Sequence, residues 1–179
     1  MTGSLSQNRL IGIGLAIAIF VTDQLIKWLV VGPLQLRERG VIELIPFFDL
    51  RWTQNFGVSL GMFEATSPEM RWGLVLVTAI IALVVFVWIL REKALGDIIG
   101  LSLILGGALG NIVDRTMLGY VIDYADLHFG EFRPFLIFNL ADAAITIGVV
   151  IILARALFVS DKGDEIDLTQ EPARGAVEN

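Results

Sequence analysis

The chain of 179 residues contains no cysteine and a single histidine, His128. The lack of cysteine excludes disulfide bonds, thiolate nucleophiles and cysteine-ligated metal sites. A zinc protease of the H-E-x-x-H type needs two histidines, and no G-x-S-x-G motif supports a serine–histidine pair. Of the common hydrolytic mechanisms, catalysis by carboxylates is the one that these absences do not exclude.

Basic residues are also scarce, with 13 Lys and Arg against 19 Asp and Glu. No basic patch indicates a nucleic acid partner. Residues 160–179 hold six of the acids and few large apolar side chains, so we expect a disordered acidic cytoplasmic tail. Outside this tail the charges nearly balance, and the formal net charge of −6 mainly reflects the tail.

Apolar residues, in contrast, make up 55% of the chain and are concentrated in long runs. The first run is too long for a cleaved signal peptide and is predicted to remain as a membrane span. We therefore predict one four-span membrane domain over residues 1–159. The predicted spans are about 10–31, 72–90, 98–113 and 135–154.

The segment between the first two spans is long for a small bundle. Within it, residues 41–45 and 48–53 are rich in branched and aromatic side chains, which is typical of short strands. The predicted fold is an all-α membrane protein, a four-transmembrane-helix bundle with a small extracytoplasmic β-rich segment at about 38–63. Arg91 and Lys93, in a tight loop, favour a cytoplasmic loop and cytoplasmic termini.

Asp123 and Asp142, the aspartate pair, lie next to apolar runs where carboxylates are costly. Asp142 follows an apolar run that starts at Phe135, which predicts a depth of about 10 Å at about 1.5 Å per helical residue. Two carboxylates in one site shielded from water share a proton. The ionised one can then act as a base that activates water, and the protonated one as an acid that polarises a carbonyl group. The alternative is that Asp123 is a loop carboxylate and that Asp142 only caps or pairs.

Other polar residues have structural explanations as well as functional ones. Asp23 and Lys27 are spaced for an ion pair on one helical face. Gly106 and Gly110 are spaced to let another helix approach closely. His128 and three charged neighbours are interpreted as interfacial surface; the three are Asp126, Glu131 and Arg133.

Five segments together resemble the lipoprotein signal peptidases (signal peptidase II), small bacterial membrane aspartic proteases. The segments are Thr22-Asp-Gln-Leu-Ile-Lys27, Thr53-Gln-Asn-Phe-Gly57, Gly106-Gly-Ala-Leu-Gly-Asn-Ile-Val-Asp-Arg115, Gly119-Tyr-Val-Ile-Asp123 and Phe138-Asn-Leu-Ala-Asp142. The chain departs from the family where an aromatic residue usually follows Asn-x-Gly-Ala-Ala, because it has Leu60 there.

The resemblance implies an endopeptidase of the bacterial inner membrane with its active site toward the outer face. Its substrate would be a diacylglyceryl-modified prolipoprotein, which is cut before the lipidated cysteine. The enzyme would be surrounded by membrane lipid. Asp123 and Asp142 match the catalytic residues, no metal or organic cofactor is needed, and we expect a monomer. The matching substrate-binding or supporting residues are Asp23, Lys27, Asn55, Gly57, Asn111, Asp114, Arg115 and Asn139.

Two other functions remain possible from the residues. Intramembrane carboxylates and glycine-rich spans also suit a small proton- or cation-coupled transporter. A subunit without catalytic activity, held to a partner through Asp23 and Lys27, is the third hypothesis.

Overall fold

The computed structural model describes residues 2–57 and 67–158, with side chains from Ser6 onward. The predictions for Leu60 and for the tail 160–179 lie outside the described residues. The elements in chain order are α1 (Thr2–Val31), α2 (Leu36–Arg39), β1 (Val41–Ile45), β2 (Phe48–Asn55), α3 (Pro68–Arg91), α4 (Leu95–Met117), β3 (Val121–Leu127) and α5 (Leu140–Phe158).

Four helices, α1, α3, α4 and α5, are long and apolar enough to cross a membrane. Large apolar side chains on their outer faces are exposed, among them Leu76, Leu83 and Ile147. Such faces are compatible with lipid, which solvates them without a hydrophobic cost. The predicted four-helix membrane fold with a small β segment is confirmed.

Helix α4 forms the centre of the bundle and packs against α1, α3 and α5. Its close approach to two neighbours depends on glycine. A methyl group at Gly106 would lie 2.5 Å from the carbonyl oxygen of Ala16 in α1, and one at Gly107 would collide with the carbonyl oxygen of Ala141 in α5. The predicted close helix contact is confirmed at Gly106; at Gly110, the other predicted position, a methyl group would lie 2.5 Å from Asp23 Oδ2 of α1.

The sheet is antiparallel, with the strand order β1-β2-β3. The two predicted strands are confirmed, whereas β3 was not predicted from the sequence. Pairing of β2 with β3 sets Thr53 opposite Asp123 and Asp49 opposite Asp126. The sheet therefore joins the segment after α1 to the segment after α4, and it carries one member of the aspartate pair.

The predicted start of the fourth span near Phe135 is wrong, because α5 begins at Leu140. Phe138 instead forms an isolated antiparallel bridge with Ala125 of β3, so the chain is extended there. Asp142 consequently lies in the first helical turn rather than about 10 Å inside a span.

The other spanning helices are longer than the apolar runs that predicted them. Helix α4 includes Asp97 at its start and Asp114 near its end. Both charges have partners: Arg155 Nε lies 2.7 Å from Asp97, and Lys27 Nζ lies 2.8 Å from Asp114. Paired charges extend a helix beyond the limits that hydropathy suggests.

Candidate active site

The aspartate pair lines one cavity of about 970 Å³. Asp123 projects from the middle of β3, and Asp142 projects from the first turn of α5. One wall of the cavity comes from the end of β2, and another comes from the segment 133–138. The predicted convergence of the two carboxylates is thus produced by a strand and a helix start rather than by two spans.

Amide groups of three asparagines hold the pair. Asp123 accepts hydrogen bonds from Asn139 Nδ2 at 2.6 Å and from Asn55 Nδ2 at 3.0 Å. Asp142 accepts hydrogen bonds from Asn111 Nδ2 at 2.8 Å and from the backbone N–H of Asn139 at 3.3 Å. Each of the four carboxylate oxygens therefore has an amide donor, which fixes both side chains without adding charge.

Asn139 organises the site because it belongs to both halves. Its side-chain oxygen accepts the N–H of Asp142 at 2.9 Å, while Asp142 accepts the N–H of Asn139. This reciprocal arrangement is a capping box, and it satisfies two donors at the start of α5. The same fully buried side chain donates to Asp123, so one residue ends the loop, starts the helix and joins the pair.

The fold disfavours ionisation of Asp123. Burial and the negative charge of Asp142 raise the pKa of Asp123 to about 7, although hydrogen bonds from Asn55 and Asn139 and the charge of Lys27 oppose the shift. A carboxyl with this pKa keeps its proton for a large part of the time near neutrality. The pair can therefore hold one acid and one base at the same pH.

A charged cluster supports the pair from the α1 side. Lys27 Nζ lies 2.7 Å from Asp23 and 2.8 Å from Asp114, and all three side chains are at most 3% exposed. The predicted pairing of Asp23 with Lys27 is confirmed. Gln24 also joins α1 to α4, because its amide donates to Asp114 at 3.0 Å. Gln24 was not predicted as a site residue, although its position beside Asp23 was a signal.

The two acids of this cluster also hold the backbone at the aspartate pair. Asp23 Oδ1 accepts the N–H of Ala141 at 3.0 Å, and Asp114 Oδ2 accepts the N–H of Ile122 at 3.2 Å. Each of these N–H groups belongs to the residue immediately before a member of the pair. The cluster therefore connects α1 and α4 to the start of β3 and to the start of α5, the two elements that carry the carboxylates.

Arg115 and Gly57 are also close to the pair. Arg115 donates from its terminal nitrogen to the carbonyl oxygen of Gly57 at 2.8 Å, and the arginine is 8% exposed. Asn55 accepts the N–H of Gly57 at 3.1 Å. All ten residues predicted for the site thus lie in one connected network. Within residues 2–57 and 67–158, no three His, Cys, Asp or Glu side chains are grouped to hold a metal ion.

The interpretation as interfacial surface is wrong for Asp126, whereas Glu131 and Arg133 are exposed and His128 is half-buried. Asp126 is 1% exposed, because Arg51 and Arg133 both donate to it. His128 Nε2 lies 3.1 Å from Asp49, and Arg133 lines the cavity. Asp126 belongs to the part of β3, residues 121–126, that is buried throughout.

Comparison with known proteins identifies the family. The family model for signal peptidase (SPase) II matches residues 15–158. The chain belongs to the signal peptidase II family. A lipoprotein signal peptidase of Rhizorhabdus wittichii is 54% identical over 161 residues, covering 90% of this chain and 94% of that relative. One from Sphingopyxis alaskensis is 52% identical over 167 residues, covering 93% and 96%.

The fold of this signal peptidase II chain is also found among solved structures. A bacterial membrane enzyme matches with a TM-score of 0.75 and 27% identity, covering 87% of this chain and 92% of that one. The chain is accordingly a multi-pass membrane peptidase, a hydrolase of peptide bonds. Neither the transporter nor the subunit without catalytic activity is favoured by these similarities.

Proposed function

We propose that the protein is an intramembrane aspartic endopeptidase that removes the signal peptide from diacylglyceryl-modified prolipoproteins. The observation that carries this proposal is the aspartate pair, Asp123 and Asp142, on one cavity with an amide donor on every carboxylate oxygen. Relatives that are 52–54% identical are named lipoprotein signal peptidases, which supports the substrate class. The cut is expected directly before the lipidated cysteine.

Catalysis begins with one proton on the pair. The ionised carboxylate takes a proton from water, and the water oxygen attacks the carbonyl carbon of the scissile bond. The other carboxyl donates its proton to the carbonyl oxygen, giving a neutral tetrahedral diol. When the C–N bond breaks, one carboxyl protonates the leaving nitrogen and the other takes a proton from the diol. The pair then holds one proton again.

The surrounding residues suit this chemistry. Asn55, Asn111 and Asn139 donate to the carboxylates and keep them in place without neutralising them. The raised pKa of Asp123, about 7, supports a pair that retains one proton near neutral pH. Asp23, Lys27 and Asp114 hold the backbone behind the pair, and we assign them a positioning role.

The cavity also suits a lipid-modified peptide. Its lining combines the polar pair with apolar side chains such as Phe135, Leu136 and Ile147. Because Asp142 is in the first turn of α5, the pair lies near one end of the spans, where water and a membrane-anchored peptide can meet. We propose that this end faces the outer side of the inner membrane and that both termini are cytoplasmic, as Arg91 at the end of α3 and Lys93 before α4 favour.

The experiment that tests this function uses purified protein in detergent micelles. A diacylglyceryl-modified precursor and the same precursor without the lipid are incubated separately, and mass spectrometry locates any cut. We expect one cut, before the modified cysteine, in the lipidated precursor alone. Equal cleavage of both precursors, or a cut elsewhere, would contradict the proposal. Light scattering on the same sample tests the expected monomer, and ion flux into liposomes tests the transporter.

A further inference from the structure

The cavity has a second polar group that the proposed chemistry does not use. Arg133 is the one cation among the described residues that line it. The residues that follow, 134–138, make a largely apolar wall. A single charged hydrogen-bond donor beside an apolar wall is the pattern expected for a largely apolar ligand that carries a few oxygen acceptors.

Arg133 is held in place by a carboxylate behind it. Its Nε donates to both oxygens of Asp126, at 3.1 and 3.2 Å, and Asp126 is 1% exposed. Arg51 donates from its own Nε to Asp126 at 2.8 Å. Burial alone would disfavour the charge of Asp126, but the two guanidinium groups outweigh burial and hold the pKa of Asp126 below its usual range. The carboxylate is therefore a permanent anchor.

The way in which Arg133 is anchored leaves it able to bind something else. A guanidinium group carries five N–H donors, and Asp126 occupies only the one on Nε. Within the described part of the chain, no residue accepts a hydrogen bond from the terminal nitrogens of Arg133. The arginine side chain is 42% exposed, so these nitrogens are accessible. Asp49, which lies opposite Asp126 on β2, contacts His128.

The neighbours of Arg133 indicate lipid rather than water. Phe132 and Phe135 are 67% and 61% exposed, and both lie just before the start of the membrane helix α5. Exposed aromatic side chains at this level are typical of a membrane interface. The oxygen acceptors that a lipid offers at a membrane interface are the ester carbonyls of its glycerol region and the phosphate of its headgroup.

We propose that the terminal nitrogens of Arg133 bind the ester carbonyl oxygens of the diacylglyceryl group on the substrate. This inference rests on the proposed function. In that function the lipidated cysteine directly follows the cut bond, so its glyceryl group must lie beside the aspartate pair. The acyl chains then contact the apolar wall formed by residues 134–138. Arg133 is a specificity-determining residue that recognises the lipid and takes no part in proton transfer.

The first test compares Arg133→Gln with Arg51→Gln. Both variants remove one arginine from Asp126, but only Arg133 lines the cavity. With the lipidated precursor, Arg133→Gln is expected to raise KM about tenfold and to leave kcat within about twofold, because hydrogen bonds to a charged donor are worth about that factor. Arg51→Gln is expected to change neither constant by more than about twofold. Equal effects of the two variants would overturn the proposal in favour of a structural role.

The second test changes the substrate at the same atoms. A precursor with ether-linked chains lacks the carbonyl oxygens, so its KM with the wild-type protein is expected to be about tenfold higher than that of the ester precursor. With Arg133→Gln the two precursors are expected to have the same KM. An ester-to-ether ratio that persists in the variant would overturn the proposal.

Two further arms separate the alternatives. Added phosphatidylglycerol tests whether the ligand is a phospholipid phosphate. If it inhibits cleavage by the wild-type protein but not by Arg133→Gln, and the ester-to-ether ratio of KM is the same in both proteins, the site binds a membrane phospholipid and the proposal is overturned. If the wild-type protein cleaves no lipidated precursor, the proposed function fails and this inference fails with it. Normal cleavage with an unchanged KM in Arg133→Gln overturns the Arg133 site alone.

Discussion

Removing the charge of Lys27 is expected to destabilise the fold strongly, because two buried acids are paired with it. Its ammonium group lies 2.7 Å from Asp23 and 2.8 Å from Asp114, with the three side chains 3%, 0% and 3% exposed. Lys27→Met keeps the length of the side chain and removes its charge. The change leaves two buried carboxylates without the cation between them.

The magnitude follows from the burial of the cluster. Removing one partner of a buried ion pair costs about 3–5 kcal/mol, mostly because the remaining charge is uncompensated. Since folded proteins are stable by only about 5–15 kcal/mol, a loss of this size is a large part of the total. Lys27 joins α1 to α4, and the acids that it holds accept the N–H groups of Ala141 and Ile122. Activity is therefore expected to fall together with stability.

Reversible unfolding in detergent micelles measures the effect. The control is Arg155→Met, which breaks the ion pair with Asp97 at the start of α4, where the two side chains are 29% and 25% exposed. We expect a much smaller loss there, because partly exposed pairs are screened. The variant that combines Asp23→Asn, Lys27→Met and Asp114→Asn has no uncompensated charge and is expected to recover most of the lost stability. Equal losses for Lys27→Met and Arg155→Met, or no recovery in the triple variant, would refute this reasoning.

Three further predictions concern the site and its packing. The pKa of Asp123 rises on folding from 3.8 to about 7, so the folded state binds more protons and the free energy of unfolding falls as pH rises from about 4 to 7. Asp123→Asn should reduce this pH dependence of the unfolding free energy, measured by urea titration at several pH values. An unchanged pH dependence would contradict the prediction. Gly110→Ala places a methyl group 2.5 Å from Asp23 Oδ2 and should lower the free energy of unfolding by about 1–3 kcal/mol. The control Gly14→Ala has no atom within 4 Å of the new methyl group and should not destabilise the fold. Similar melting temperatures for the two variants would count against the packing described. Asn139→Asp keeps a good N-cap but replaces the 2.6 Å amide donor to Asp123 by a third buried carboxyl. Both kcat, by at least about tenfold, and stability should therefore fall, and full activity would exclude a role for that donor.

The membrane fold and the aspartate pair could be predicted because their signals are local. Hydropathy marks the four spans, and the Asp23 to Lys27 spacing predicts an ion pair that is present at 2.7 Å. Carboxylates beside apolar runs are costly wherever they occur, so Asp123 and Asp142 were candidates before any contact was known.

The parts that could not be predicted depend on contacts between distant segments. The apolar residues 135–138 have the composition of a span, but Phe138 pairs with Ala125, so α5 starts only at Leu140. Strand β3 is covered on both faces and lacks the alternation that marks a half-buried strand. The anchoring of Arg133 by Asp126 likewise depends on how the chain folds back after β3.

We propose that Asp123 and Asp142 together hydrolyse the scissile bond. The most direct measurement is the cleavage rate of a diacylglyceryl-modified precursor by Asp123→Asn and by Asp142→Asn, each purified and shown to be folded by its thermal unfolding. Because general acid–base groups contribute about 10²–10⁴-fold, each variant is expected to lose at least about a hundredfold in kcat. A folded variant of either residue that cleaves the precursor at nearly the wild-type rate would contradict the claim.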